Sequence, residues 1–121
     1  MKIVIPGEFP TMNEIITASK SHHVQYANLK KKYGSIVFYH TKGLKKIEGR
    51  NHYRCTWYRT NRRHDPDNVA AGGTKILLDG LTASKVLEND GHKQIGGFTH
   101  LFGVDKQKPR VEVEIIPMED E

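Results

Sequence analysis

At 121 residues the chain has room for one domain, so residues 1–121 are read as a single folded unit. The lone cysteine excludes a disulfide-stapled scaffold, no run of about eighteen apolar residues offers a membrane span, and residues 1–6 are too short for a secretory apolar region. The net charge of +5 is unevenly spread: residues 20–63 carry twelve basic side chains and one acid, whereas residues 64–121 carry eleven acids and six bases.

In chain order, residues 2–5 alternate polar and apolar and stop at Pro6 and Gly7, the pattern of a short strand entering a turn. A helical pattern begins at about Asn13. Leu29, Tyr33, Ile36, Val37, His40, Leu44 and Ile47 then recur at three- and four-residue spacings on one apolar face, which places His40 in the packed core. Gly34 and Ser35 weaken this helix, leaving one long helix or two collinear pieces broken there. Residues 51–59 set Tyr53, Cys55 and Trp57 against Arg54, Thr56 and Tyr58, the period of a half-buried strand in which Cys55 is a buried structural thiol. Residues 61–68 form a polar loop, 70–73 (AAGG) a flexible stretch, and a helix falls within about 68–83 around KILLDGL. A turn at 88–92, a strand over 93–103, a tight connection at 105–109 and a strand over 110–116 complete the reading. The last two strands are expected to pair as a hairpin, with residues 118–121 a frayed acidic tail. Strands and helices mix without a repeating βα rhythm, so the expected class is α+β, a mixed sheet with helices packed on it. The Gly72, Gly73 and Gly96, Gly97 pairs fit neither dinucleotide nor P-loop spacing, which excludes a nucleotide-hydrolysing engine of those kinds.

A basic band without a strongly apolar amphipathic face points to a polyanion, nucleic acid ahead of membrane. Lys30, Lys31 and Lys32 on the helix, with Arg62 and Arg63 in the loop, are the candidate phosphate contacts. Beside the arginines, Asp65 and Asp67 are two residues apart and point to one side if the segment is extended. Two such carboxylates repel unless a proton or a cation comes between them, and a hard divalent ion suits oxygen ligands, Mg²⁺ first and Mn²⁺ as substitute. The alternative is a solvated turn in which Asp67 or Asn68 caps a helix. Asp90 follows that helix after enough chain for it to turn back, so three carboxylates are expected to converge, the set that metal-assisted phosphodiester hydrolysis uses. Lys75 would add positive charge for the transition state, or would be an exposed lysine facing Asp79, which holds it rather than binding metal. Glu88 reads as a solvated turn residue. His64, beside Asp65, is a candidate proton carrier, and the seven scattered histidines lack zinc spacing with the one cysteine.

The motifs NRRHDPDN, KILLDGL, VLENDGHKQI and DKQKPRVEVEI, with the opening IPGEFPTMNE and its Asn13, resemble the RusA family of Holliday-junction resolvases found in bacteria, prophages and phages. The resemblance implies a Mg²⁺-dependent endodeoxyribonuclease in which Asp65, Asp67 and Asp90 hold metal and Lys75 assists. It also implies a homodimer that makes paired nicks in a four-way DNA junction, leaving 5′-phosphate and 3′-hydroxyl ends, and a cytoplasmic setting in a bacterial or phage-infected cell. Here Asn89 stands where the founding member has a second aspartate, and residues 69–74 separate Lys75 from Asn68 by a longer insert, as in phage-type relatives. The competing expectations are a branched-DNA-binding protein without turnover and a nuclease for other branched or flap substrates.

Overall fold

The computed structural model describes residues 1–119. In chain order the elements are β1 (Lys2–Pro6), α1 (Met12–Ser21), α2 (His23–Thr41), β2 (Asn51–Arg59), α3 (Pro66–Ala83), β3 (Ile95–Val104) and β4 (Arg110–Pro117). The four strands form one mixed sheet in the order β1-β4-β2-β3, an α+β architecture. Residues 120–121 of the acidic tail lie outside the described residues. Among the described residues no helix is long and apolar enough to cross a membrane.

Alternation decides which face of the sheet the helices cover. Ile3 and Ile5 on β1, Tyr53, Cys55 and Trp57 on β2, and Val111, Val113 and Ile115 on β4 all point to one side. There they meet Ile15 of α1, Val37 of α2 and Val69, Ile76, Leu77 and Leu81 of α3. Cys55 is fully buried, and burial pushes its thiol up to about 12, so it is an unreactive part of this core.

The expected hairpin does not form. β2 lies between β3 and β4, parallel to the first and antiparallel to the second. Every inward residue of β2 from Tyr53 to Trp57 is buried and needs neighbours on both flanks, whereas β3 has no buried residue and suits an edge. Residues 105–109 step across the intervening strand, two spacings of about 4.8 Å. Arg110 pins this connection: its Nη1 donates to Asp105 Oδ2 at 2.8 Å and to the Lys108 carbonyl at 2.8 Å, and its guanidinium lies 4.1 Å from the Tyr58 ring centroid.

The first helical region breaks at His22 instead of at Gly34 and Ser35. His22 is extended (φ −166°, ψ 137°) and its Nδ1 accepts from the Val24 N–H at 3.1 Å, capping α2 as α1 ends. α1 itself starts on a capping box in which the Thr11 hydroxyl and the Glu14 carboxylate satisfy each other's backbone N–H groups. α2 continues through Gly34 and stops at Thr41, before Gly43 turns the chain with φ +80°. Leu44 and Ile47 therefore lie beyond the helix. Val37 and Thr41 carry its buried line, which leaves His40 exposed rather than in the core, with Nδ1 2.9 Å from the Ile36 carbonyl oxygen.

Residues 70–73, expected to be flexible, are the interior of α3. A Cβ on Gly72 would overlap the backbone of Pro10 and Thr11, one on Gly73 the Trp57 ring, and one on Gly80 the Val37 side chain. Three missing side chains thus let the start of α1, the sheet and α2 all reach the α3 backbone. Gly72→Ala forces rigid backbone apart, so its clash outweighs the helix-propensity gain and should lower stability by roughly 1–3 kcal/mol. Gly34→Ala, which meets nothing within 4 Å, should raise stability by about 0.5–1 kcal/mol. Urea unfolding of both variants should give shifts of opposite sign.

Candidate nucleic-acid site at the start of α3

β2 delivers the chain at Arg59 to a loop that is fastened from below. Arg59 Nη1 donates to the Phe9 carbonyl at 2.8 Å, and Glu8 Oε1 accepts from both the N–H (2.5 Å) and the hydroxyl (2.8 Å) of Thr60. Burial works against the Glu8 charge, but the Thr60 donors, with Arg59 and His64 nearby, hold its carboxyl below the ordinary 4.5. The loop then presents Asn61, Arg62, Arg63 and His64 to solvent; Asn61 Oδ1 accepts from the Arg63 N–H at 2.9 Å.

Asp65 occupies the N-cap position of α3 in an extended conformation, but its side chain makes no capping hydrogen bond. Pro66 begins the helix, consistent with its fixed φ and absent N–H. Asp67 lies in the first turn, its Oδ1 accepting from the Asn68 N–H at 2.9 Å, and both aspartates are exposed. Asn68 reaches the other way: its Oδ1 accepts from the Asn13 N–H at 2.9 Å, tying the first turn of α1 to the first turn of α3. The Asn13 loop and the DPDN segment are therefore neighbours although 55 residues separate the bonded pair.

Two clefts flank this helix start. One, of about 280 Å³, is lined by Trp57, Arg59, Arg62, His64, Asp65 and Phe102 among others. The second, of about 430 Å³, includes Asn13, Gln25, Leu29, His64 and Asn68. Leu29 immediately precedes Lys30, Lys31 and Lys32, so the lysine run begins at the rim of the second cleft. All three lysines are exposed, with Lys30 and Lys32 packed 5.4 Å and 5.2 Å from the ring centroids of Tyr26 and Tyr33. The structure thus gathers Asp65, Arg62 and His64 around the first cleft, with Arg63 and Asp67 adjacent in the chain, and sets Leu29, which precedes the lysine run, on the wall of the second.

It does not bring Asp90 to them. α3 runs back along the sheet before residues 84–94 lead into β3, and β3 starts beside Asn51 and ends beside Arg59. Asp90 therefore precedes the far end of the sheet, on the order of 30 Å from the Asp65 end by strand rise. There Asn89 Oδ1 accepts from the Gly91 N–H at 2.6 Å, and Lys46 Nζ lies 3.4 Å from Glu88 Oε2. The expected convergence of three carboxylates fails within one chain because a parallel crossover must return to the starting end of the strand it left. Among the described residues no three His, Cys, Asp or Glu side chains are grouped to hold a metal ion. Lys75 is exposed about 12 Å along α3 from Asp67 by helix rise, with Nζ 3.9 Å from Asp79 Oδ2.

Among the supporting residues, only the Thr11 and Glu14 capping box had a local signature in the sequence; the Glu8 brace and the Asn13 to Asn68 link join distant segments. Neither a protein-family model nor a curated protein matches the chain.

The depressed Glu8 pKa makes a signed prediction. Its ionised form stabilises the fold above the ordinary carboxylate range, and that contribution is lost as pH falls through the lowered folded value. Glu8→Gln should therefore be less stable than wild type at neutral pH, and the gap should close in strong acid. Urea titrations at both pH values test this; a gap that widens in acid contradicts the assignment.

Proposed function

We propose that the protein is an endodeoxyribonuclease of branched DNA, with the four-way junction as its substrate and a divalent cation as its requirement. The observation that carries this reading is the exposed Asp65 and Asp67 pair at the uncapped start of α3, directly after the exposed Arg62 and Arg63. Cationic side chains beside a carboxylate pair suit a polyanion that must be held close to acids it would otherwise avoid. The resemblance of NRRHDPDN and VLENDGHKQI to the RusA family adds the substrate class, the Mg²⁺ or Mn²⁺ requirement and the homodimer.

Each group has a separable role. Lys30, Lys31, Lys32, Arg62 and Arg63 hold phosphates and carry little sequence information. Asp65 and Asp67 offer oxygen ligands and repel a bare phosphate. His64, on the wall shared by both clefts, stands where a proton could be passed. A three-carboxylate Mg²⁺ site does not fit the residues of one chain, since Asp65 and Asp67 lack Asp90, so no reaction step is assigned to the ion here. That separation, and the contact of Lys75 with Asp79, favour a second reading, a branched-DNA-binding protein without turnover.

One assay separates the two. Synthetic four-way junction, flap and linear duplex are offered to wild type and Asp67→Asn, each with Mg²⁺ or with chelator. The nuclease reading expects wild type to cut the junction only with Mg²⁺ and Asp67→Asn to bind without cutting. Binding with no cutting by either protein supports the second reading, and equal cutting by both removes Asp67 from the site. Replacing Lys30, Lys31 and Lys32 together by Ala should weaken binding to all sequences alike and flatten the log–log salt slope by about one for each lost phosphate contact.

A further inference from the structure

The outward side of α2 carries aromatic rings where a surface helix usually carries polar groups. At about 100° per residue, Lys31, Lys32, Ser35, Phe38, Tyr39 and Lys42 fall on one side, opposite Leu29, Tyr33, Ile36 and Val37, which pack on the core. All six are exposed. Phe38 is 44% exposed and Tyr39 66%, the largest value for a large apolar or aromatic side chain among the described residues. Rings of this size left in water mark a surface that meets something else. The charge around them has one sign: residues 15–47 contain seven Lys and no Asp or Glu.

Rings and charges are held together on this face. Lys42 Nζ lies 5.1 Å from the Tyr39 ring centroid, and the His40 ring meets Tyr39 edge-on with centroids 5.3 Å apart. His40 is anchored in turn, its Nδ1 2.9 Å from the Ile36 carbonyl oxygen, so Tyr39 is braced before any ligand arrives. Among the described residues no acid pairs with Lys31, Lys32 or Lys42, whereas Lys46 is held by Glu88. The negative end of the α2 dipole, about half a charge, lies here as well, and Lys42 and Lys45 outweigh it.

We propose that this face of α2 binds single-stranded nucleic acid, with bases stacking on Phe38 and Tyr39 and phosphates meeting Lys31, Lys32 and Lys42. A duplex keeps its base faces inside and would use the lysines while leaving the rings idle. An unpaired strand offers both, and stacking accepts every base because each has a π-face. A membrane surface fits less well, since two rings flanked by lysines lack the broad apolar side that interfacial helices bury. The face lies apart from the aspartates. Leu29 lines the second cleft, and Tyr39 is ten residues further on, about 15 Å along α2 by helix rise. Lys31 and Lys32 lie between, so a strand leaving that cleft can follow them to the rings. Stacking here does not require the nuclease reading; under that reading the strand is a stretch of the branched substrate that has lost its pairing.

The test measures binding of labelled oligo(dT), oligo(U) and linear duplex by fluorescence anisotropy in chelator, so that no strand is cut. Phe38→Ala with Tyr39→Ala should keep the wild-type circular dichroism spectrum. It should lose about tenfold or more in affinity for single strands and less than about twofold for duplex. Tyr39→Trp should retain the affinity, and oligo(dT) should quench its added indole fluorescence above the background of the buried Trp57. Lys42→Gln should weaken binding to all three probes and flatten the log–log salt slope by about one. Binding of either single strand upholds the site, and the stronger of the two names the sugar. Wild type that binds neither, a double alanine variant that binds single strands like wild type, or equal losses on single strands and duplex overturns the inference. So does binding to phosphatidylserine vesicles that needs both rings while single-strand binding does not. Ring-dependent strand binding by a protein that cuts no branched DNA upholds the inference and removes the nuclease reading; junction cutting by a protein whose strand binding ignores the rings does the reverse.

Discussion

The close approach of α3 to its neighbours is the constraint on which the other features depend. Gly72, Gly73 and Gly80 leave no side chain between the helix backbone and Pro10, Trp57 and Val37, and this sets both the height and the direction of α3 across the sheet. Once the helix is held there, its first turn must emerge at the end of β2, beside Arg59. The exposed aspartates, the Asn13 link and the flanking clefts all inherit their positions from that contact. Helix formers in place of these glycines would favour an isolated helix and oppose this packing.

The same placement decides what is absent from the site. An 18-residue helix between parallel neighbours spans the sheet, so the residues that follow it are delivered to the opposite end. Asp65 and Asp67 lie at one end of that crossover and Asp90 at the other. The separation is a property of the topology, not of any one side chain. Arg62 and Arg63 face no such obstacle, because they lie in the loop that leads from β2 directly into α3.

Much of the local structure was readable from the sequence. The alternation in residues 2–5, 51–59 and 110–116 marks strands that bury one face, and KILLDGL marks a helix with an apolar side. The start of α3 at Pro66 was missed, because residues 61–68 read as a polar loop and the helix was placed within about 68–83. Sheet order was not readable in the same way, since β3 and β4 are close in sequence and only the full burial of β2 shows that it separates them. The break at His22 was hidden because a histidine cap has a weaker local signature than Ser, Thr, Asp or Asn. Asp90 was misplaced for a related reason: the course of α3 can be followed only after β3 is recognised as parallel to β2. The glycine pair in residues 70–73 was taken for flexibility, when its meaning lies in partners 16 and 62 residues away, Trp57 and Pro10.

The two pairings made by β4 also have a temporal meaning. Among the described residues β1 pairs in the sheet with β4 alone, with Lys2 opposite Glu114, so the first of the four strands waits for the fourth. β2 gains its antiparallel flank at that same moment. Native topology therefore closes only after β4 has been made, by contacts that are distant in sequence and intrinsically slow to find. During that interval the apolar sides of β1 and β2 lack their mate, and shielding them falls to whatever attends the nascent chain.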